Sequence, residues 1–280
     1  KGDVFIQRVV GEETMETSAG TGAALERGYG ADAAIVCEPS SPPQRFSINI
    51  SSPGLALRQV KVMGQAAHIS MRHELIRPGG LAAAVGVSAI DKAFLIYQAL
   101  LKLEDEWGQT KRHPAFLRPG QFVLYPEVIQ GGDLVAASIP EECYMIYIIW
   151  HPPQDTAEDV GEEIKAYIAR FAQTDPWLRE NPPEVNVPFY SWPPFETSAE
   201  EPICKAAAAA SEALFNRPAI LYGGAFTSDA SFIRQAGIPT IVMGPGTPEV
   251  AHGFNEYVEI QDLVDAAKLY AMTIIEWCGI

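Results

Sequence analysis

Apolar and polar positions alternate along this chain in three successive patterns. Over the first 58 residues, short apolar runs are separated by glycine-rich turns: DVFIQRVV, a helix-like GTGAALERG, then ADAAIVCEPS. This spacing predicts strand, helix, strand. From LRQVKVMGQAAHIS to about residue 181 the pattern becomes strand, long helix (83–107), strand (FVLYPEVI), strand (EECYMIYIIW) and helix (155–171). PEVNVPFYSW supplies a further strand beyond a proline-containing turn, completing the β-α-β-β-α-β order of a split βαβ, ferredoxin-like domain. From residue 199 helices and buried strands alternate again, through EEPICKAAAAASEALF, AILYGG, DASFIRQAG and PTIVMGPG to a last helix over 261–277. The order predicts one α/β domain, made of 1–57 and 192–280, interrupted by a second, smaller domain over 58–191.

Composition narrows the function classes. The chain has 280 residues, 48% of them hydrophobic, which is ample for a sizeable core. Its 35 acidic residues outnumber 20 basic ones, giving a formal charge of -15, and no Lys/Arg run is present to follow a phosphate backbone. Nucleic acid is therefore excluded as an expected partner. No apolar run is long enough to span a bilayer, and the start KGDVFIQRVV lacks the apolar stretch of a signal peptide, so the expectation is a cytoplasmic protein without membrane contact. Cys37, Cys143, Cys204 and Cys278 are far apart with no metal-like spacing. With Cys37 and Cys143 in apolar surroundings, they are expected to be reduced packing residues.

The candidate chemistry starts at VVGEETMETSAG, where Glu12 and Glu13 are adjacent. Neighbours on a strand point to opposite faces, so such a pair is either a solvated turn or the carboxyl end of a buried strand, where ligands gather in open α/β sheets. The second predicted strand also ends in an acid, Glu38, followed by Pro39. Further on, Asp229, a Gly-Pro-Gly turn at 244–246 and His252 fall in one loop-rich stretch. Two acids from one strand end, one from another and a histidine from a third make a metal set suited to zinc, with cobalt or manganese as alternatives.

In this order and spacing, GEE with a glycine-bearing helix start, ADAAIVCEPS, VMGQAAHIS, IQGGDLVAASIPEEC and GPGTPEVAHGFNEYV resemble a known family over almost the whole chain. It is the dinuclear-zinc amidohydrolase and exopeptidase family that includes acetylornithine deacetylase, succinyl-diaminopimelate desuccinylase, aminoacylase and carboxypeptidase G. The resemblance implies a zinc-exopeptidase-like catalytic domain with an inserted ferredoxin-like lid that also mediates a homodimer. It implies two zinc ions per complete site and a small N-acylated amino acid or peptide-like substrate. Glu12 would then be the general base, Glu13 and His252 would bind one zinc and Glu38 the second. His68, in the lid, would stabilise the tetrahedral oxyanion, commonly in the partner subunit's site.

Several positions depart from the family's pattern. Its members carry a His-x-Asp segment and a bridging Asp upstream of the Glu-Glu pair, and this chain begins too late to contain them, so the resemblance lacks the family's N-terminal third. His73, His113 and His151, all expected inside the inserted domain, do not match that motif. Gly11 stands where an acid is common, and IIWHPPQD lacks an arginine that many relatives use for a substrate carboxylate. Arg72 and Arg77, close to His68, are candidate anion anchors. Two readings of function follow: a metal-dependent amide hydrolase, or a catalytically incomplete fragment that retains only lid-mediated dimerisation.

Overall fold

The computed structural model describes residues 2–71, 86–133, 137–188 and 191–279. They fall into two compact units, the first made of Lys1–Pro53, His113–Arg118 and Trp192–Ile280, the second of Gly54–Arg112 and Pro119–Ser191. In chain order the elements begin with α1 (Thr21–Glu26), β1 (Ala34–Val36), β2 (Ile48–Ser52), β3 (Gly54–Met63), α2 (Ala89–Thr110), β4 (Leu124–Gly131) and β5 (Glu142–His151). They continue with α3 (Ala157–Ala172), α4 (Pro176–Glu180), β6 (Glu184–Asn186), β7 (Phe195–Glu196), α5 (Pro202–Phe215), β8 (Leu221–Gly223), α6 (Ala230–Gln235), β9 (Thr240–Val242) and α7 (Ile260–Cys278).

In the first unit β1 runs parallel to β9, from Ala34 opposite Thr240 to Val36 opposite Val242. Strand β2 pairs with β9 and β7 antiparallel and with β8 parallel, giving a five-stranded sheet. Its core packs Ile203, Cys204, Ala207 and Ala210 of α5 and Ala266 and Leu269 of α7 against Phe46, Ile48, Ile241 and Met243. The alanine run thus does more than favour a helix: Ala207 and Ala210 are fully buried. Helix α5 opens with Pro202 at its first position and closes at Asn216 in the left-handed conformation, the termini that proline and asparagine favour.

Two features of this unit differ from the periodic pattern. DVFIQRVV forms no strand: residues 2–10 carry no ladder, and Val4, Phe5, Ile6, Val9 and Val10 are exposed. Alternation makes a strand only when a neighbour completes the hydrogen bonds, and none does so among the described residues. Conversely β2, not foreseen as a strand, buries Asn49, Ser51 and Ser52 alongside Ile48. Polar residues buried on both faces erase the apolar signal. His113–Arg118 also belongs to this unit, because Ala115 O accepts the Gly223 N–H at 2.6 Å. A Cβ on Gly223 would lie 2.7 Å from the Phe116 ring, so the missing side chain admits that ring.

The second unit is a four-stranded antiparallel sheet in the order β4-β5-β3-β6. With α2 and α3 as the two connections, this is the ferredoxin-like arrangement. Strand β5 alternates strictly, placing Cys143, Met145, Tyr147 and Ile149 against the helices. Helix α2 presents Ala93, Ile96, Leu100, Leu103 and Trp107 at helical spacing, and α3 presents Val160, Ile164, Ile168 and Ala172. Helix α2 starts at Ser88, whose Oγ accepts the Asp91 N–H at 3.2 Å, because Val87 is held in a bridge with Gln65. The sequence pattern had placed this start at 83, which lies outside the described residues. Ile96 is fully buried in this core, and Ile96→Ala is expected to cost about 2–5 kcal/mol, read as a lower urea midpoint at unchanged m.

None of the four cysteines forms a disulfide, and Cys143 and Cys204 are buried; Cys37 is exposed rather than packed, since it follows the last residue of the three-residue β1. No helix among the described residues is long and apolar enough to cross a membrane.

Candidate active site

Glu12 and Glu13 sit in a tight turn, not at the end of a paired strand. Glu16 N donates to Gly11 O at 2.7 Å and Met15 N to Glu12 O at 3.0 Å. Gly11 has φ 88°, and a Cβ there would lie 2.6 Å from Glu16 O, so the residue before the acid pair has to be glycine. Gly20 plays the same part behind the turn, where Val10 O occupies the space of a side chain.

Glu38 lies two residues past β1, and its position is fixed from the other side by the end of β9. Ser40 Oγ donates to Gly244 O and accepts Gly244 N–H, both at 3.1 Å, and Gly244 has no room for a Cβ beside Glu38 O, 2.6 Å away. Asp229 precedes α6 and is 5% exposed. Its Oδ2 accepts from Thr21 Oγ at 2.5 Å, while its buried Oδ1 has no hydrogen-bond partner. His252, with φ 59°, lies in the loop after β9. Its Nε2 is 3.6 Å from Glu13 Oε2, and its backbone N–H donates to Glu256 Oε2 at 3.3 Å.

These groups crowd negative charge. The Glu12 carboxyl is pushed up to about 7, by burial first and then by Glu38, Glu13 and Asp229. Glu38 is raised by burial, Glu13 and Asp229, and Asp229 by burial against the opposing Thr21 hydrogen bond. The charges that raise Glu12 and Glu38 are those of neighbouring carboxylates. Among the described residues no group of three or more His, Cys, Asp or Glu side chains closes around one metal position. The donor chemistry still fits a divalent cation. Several carboxylates and an imidazole lie together, no lysine or arginine pairs with them among the described residues, and a buried carboxylate oxygen of Asp229 is left unpartnered.

His68 belongs to the second unit and is exposed. Its Nδ1 accepts the Ser70 N–H at 3.2 Å and lies 2.8 Å from Ser70 Oγ, so Nε2 is the ring nitrogen available to a ligand. His113 is in the first unit, not in the inserted one, with Nε2 3.3 Å from Glu196. His151 is buried at the end of β5, where burial lowers its pKa. Arg72, His73 and Arg77 lie outside the described residues. Sequence reasoning gave no part to Thr21 or Ser40. Thr21 meets Asp229 across 208 positions of sequence and Ser40 meets Gly244 across 204, separations that no local pattern encodes.

The model for Peptidase family M20/M25/M40 matches residues 1–276. The N-formyl-4-amino-5-aminomethyl-2-methylpyrimidine deformylase of Halalkalibacterium halodurans is 32% identical over 290 residues, covering 99% of this chain and 64% of the relative. The acetylornithine deacetylase of Myxococcus xanthus is 26% identical over 257 residues, covering 91% of this chain and 60% of the relative. Among solved structures, a tripeptidase from Staphylococcus aureus superposes with a TM-score of 0.66 at 21% identity, over 96% of this chain and 62% of that one. The chain thus spans less than two thirds of the length of these relatives. The chain belongs to peptidase family M20/M25/M40.

Proposed function

We propose that the protein is a metal-dependent hydrolase of the amide bond in a small N-acylated amine. The observation that carries this reading is the crowding of Glu12, Glu13, Glu38 and Asp229 with His252, with no lysine or arginine paired to them among the described residues. It is supported by relatives named for removing a formyl and an acetyl group. Glu13 and His252 would hold one zinc and Glu38 a second, with Asp229 Oδ1 as a further donor and cobalt or manganese as substitutes. Bound zinc supplies Lewis acidity and makes water acidic near neutral pH. Glu12 takes the proton of the attacking water and delivers it to the leaving nitrogen. His68 would act in the site of a partner subunit, its Nε2 donating to the oxygen on which charge develops. Four cysteines without a disulfide suit a reducing cytoplasm. The edge strand β4, with Tyr125 and Ile129 exposed, suits pairing of two copies.

The crowded carboxylates tie stability to pH and metal, and this provides the test. Folding raises Glu12 from the usual carboxylate range to about 7. Within that window the folded chain binds more protons than the unfolded chain, so stability falls as pH rises. His151, lowered by burial, acts in the opposite sense below its ordinary pKa, and Glu38 and Asp229, also raised, add to the Glu12 effect. Comparison with Glu12→Gln cancels the background. In chelator, wild type should lose stability relative to Glu12→Gln between about pH 5 and about pH 8, and zinc should stabilise both variants. Parallel pH profiles with no zinc effect would sink the reading.

A further inference from the structure

The chain passes between the two units at 53/54, 112/113, 118/119 and 191/192. Within the first unit, residues next to these passages gather on one short stretch, 223–228, which runs from the end of β8 to Asp229. Ser51 O, just before the first passage, accepts the Gly224 N–H at 2.8 Å. Ala115 O, between the second and the third, accepts the Gly223 N–H at 2.6 Å, and the buried Phe116 ring fills the space beside Gly223. Trp192, the first residue after the fourth, is buried as well. Its Nε1 donates to Ser228 O at 3.1 Å, and its ring centre lies 5.1 Å from that of Phe232 on α6.

The stretch is therefore held at both ends. At its far end Ser228 O accepts a second donor, the Ser231 N–H at 3.1 Å, so two hydrogen bonds fix this carbonyl. The peptide plane joins it rigidly to the nitrogen and Cα of Asp229. On the side-chain end Asp229 Oδ2 accepts from Thr21 Oγ, at the start of the helix behind the acid turn, and the buried Oδ1 has no partner among the described residues. The direction of that oxygen is thus set by Thr21 on one side and by the 223–228 backbone on the other. We infer that Trp192 and Phe116 are positioning residues, which hold the Asp229 carboxylate through this stretch so that its unpartnered oxygen serves a divalent cation. The inference rests on the metal-dependent reading and adds two residues that do not touch the site themselves.

The test uses Trp192→Phe, which keeps a ring beside Phe232 and removes the N–H donor, and Phe116→Leu, which keeps apolar contact and removes the ring beside Gly223. Amide hydrogen exchange over 223–232 should become about tenfold faster in each. Zinc affinity, read by equilibrium dialysis so that turnover is not needed, should fall about tenfold. In an Asp229→Asn background Trp192→Phe should cost no more than about a further twofold, because the group it positions is already gone. Ile96→Ala, which loosens the core of the inserted unit, should leave zinc affinity within about twofold. Full zinc affinity in both variants overturns the inference, and so does weaker zinc binding with unchanged exchange over 223–232. An equal loss in Ile96→Ala, or a full tenfold loss on top of Asp229→Asn, also overturns it, because general loosening of the fold produces both. The metal-dependent reading is judged on wild type: if wild type binds no zinc, that reading falls and the inference with it, whereas wild-type binding that neither variant weakens removes the inference alone.

Discussion

Glu12→Gln is expected to lower kcat about 100-fold or more while zinc affinity stays within about twofold. Glutamine keeps the size and hydrogen-bonding shape of the side chain and removes only its basicity. The two adjacent acids differ in their surroundings: Glu13 is exposed and contacts His252, whereas Glu12 is half-buried and carries the raised pKa. A carboxylate beside the attacking water can both accept its proton and return it to the leaving nitrogen, which the amide of glutamine cannot do. Parallel measurement of kcat and of zinc by equilibrium dialysis separates the roles. Unchanged turnover removes Glu12 from the mechanism, and loss of zinc together with turnover makes it a ligand instead of a base.

Glu13→Ala, Glu38→Ala and His252→Ala should each weaken zinc binding by at least about tenfold, since loss of even a group that only orients a ligand costs that much. Their combinations carry more information than the single variants. Glu13 and His252 lie 3.6 Å apart and are assigned to one ion, so the double variant should cost less than the sum of the two. Glu38, assigned to the other ion, should combine with His252→Ala nearly additively. Full zinc occupancy and affinity in His252→Ala would displace the site from this loop.

What the sequence made legible follows from how local each signal is. Strand β5 alternates through ten residues, and α2 and α3 carry unbroken helical stripes with a Ser88 or Thr156 cap, so the ferredoxin-like unit could be read without its long-range pairing. Residues 2–10 show that the same alternation without a partner strand yields no ladder. Strand β2 shows the converse, because Asn49, Ser51 and Ser52 are buried by the sheet around them and not by their own chemistry. The acid pair was legible as a chemical anomaly, and the resemblance gave it roles. Its setting in a turn depends on Gly11, whose positive φ explains why an acid is absent there. The contacts of Thr21 with Asp229 and of Ser40 with Gly244 join positions more than 200 residues apart and become visible only in three dimensions.

The most direct measurement of the central claim, a divalent-metal amide hydrolase, is release of free amine from an N-formyl benzylamine before chelation, after chelation and after zinc is restored. The account predicts release by the zinc-loaded chain, its loss on chelation and its recovery with zinc. Release that persists in chelator, or none from the zinc-loaded chain, would contradict it.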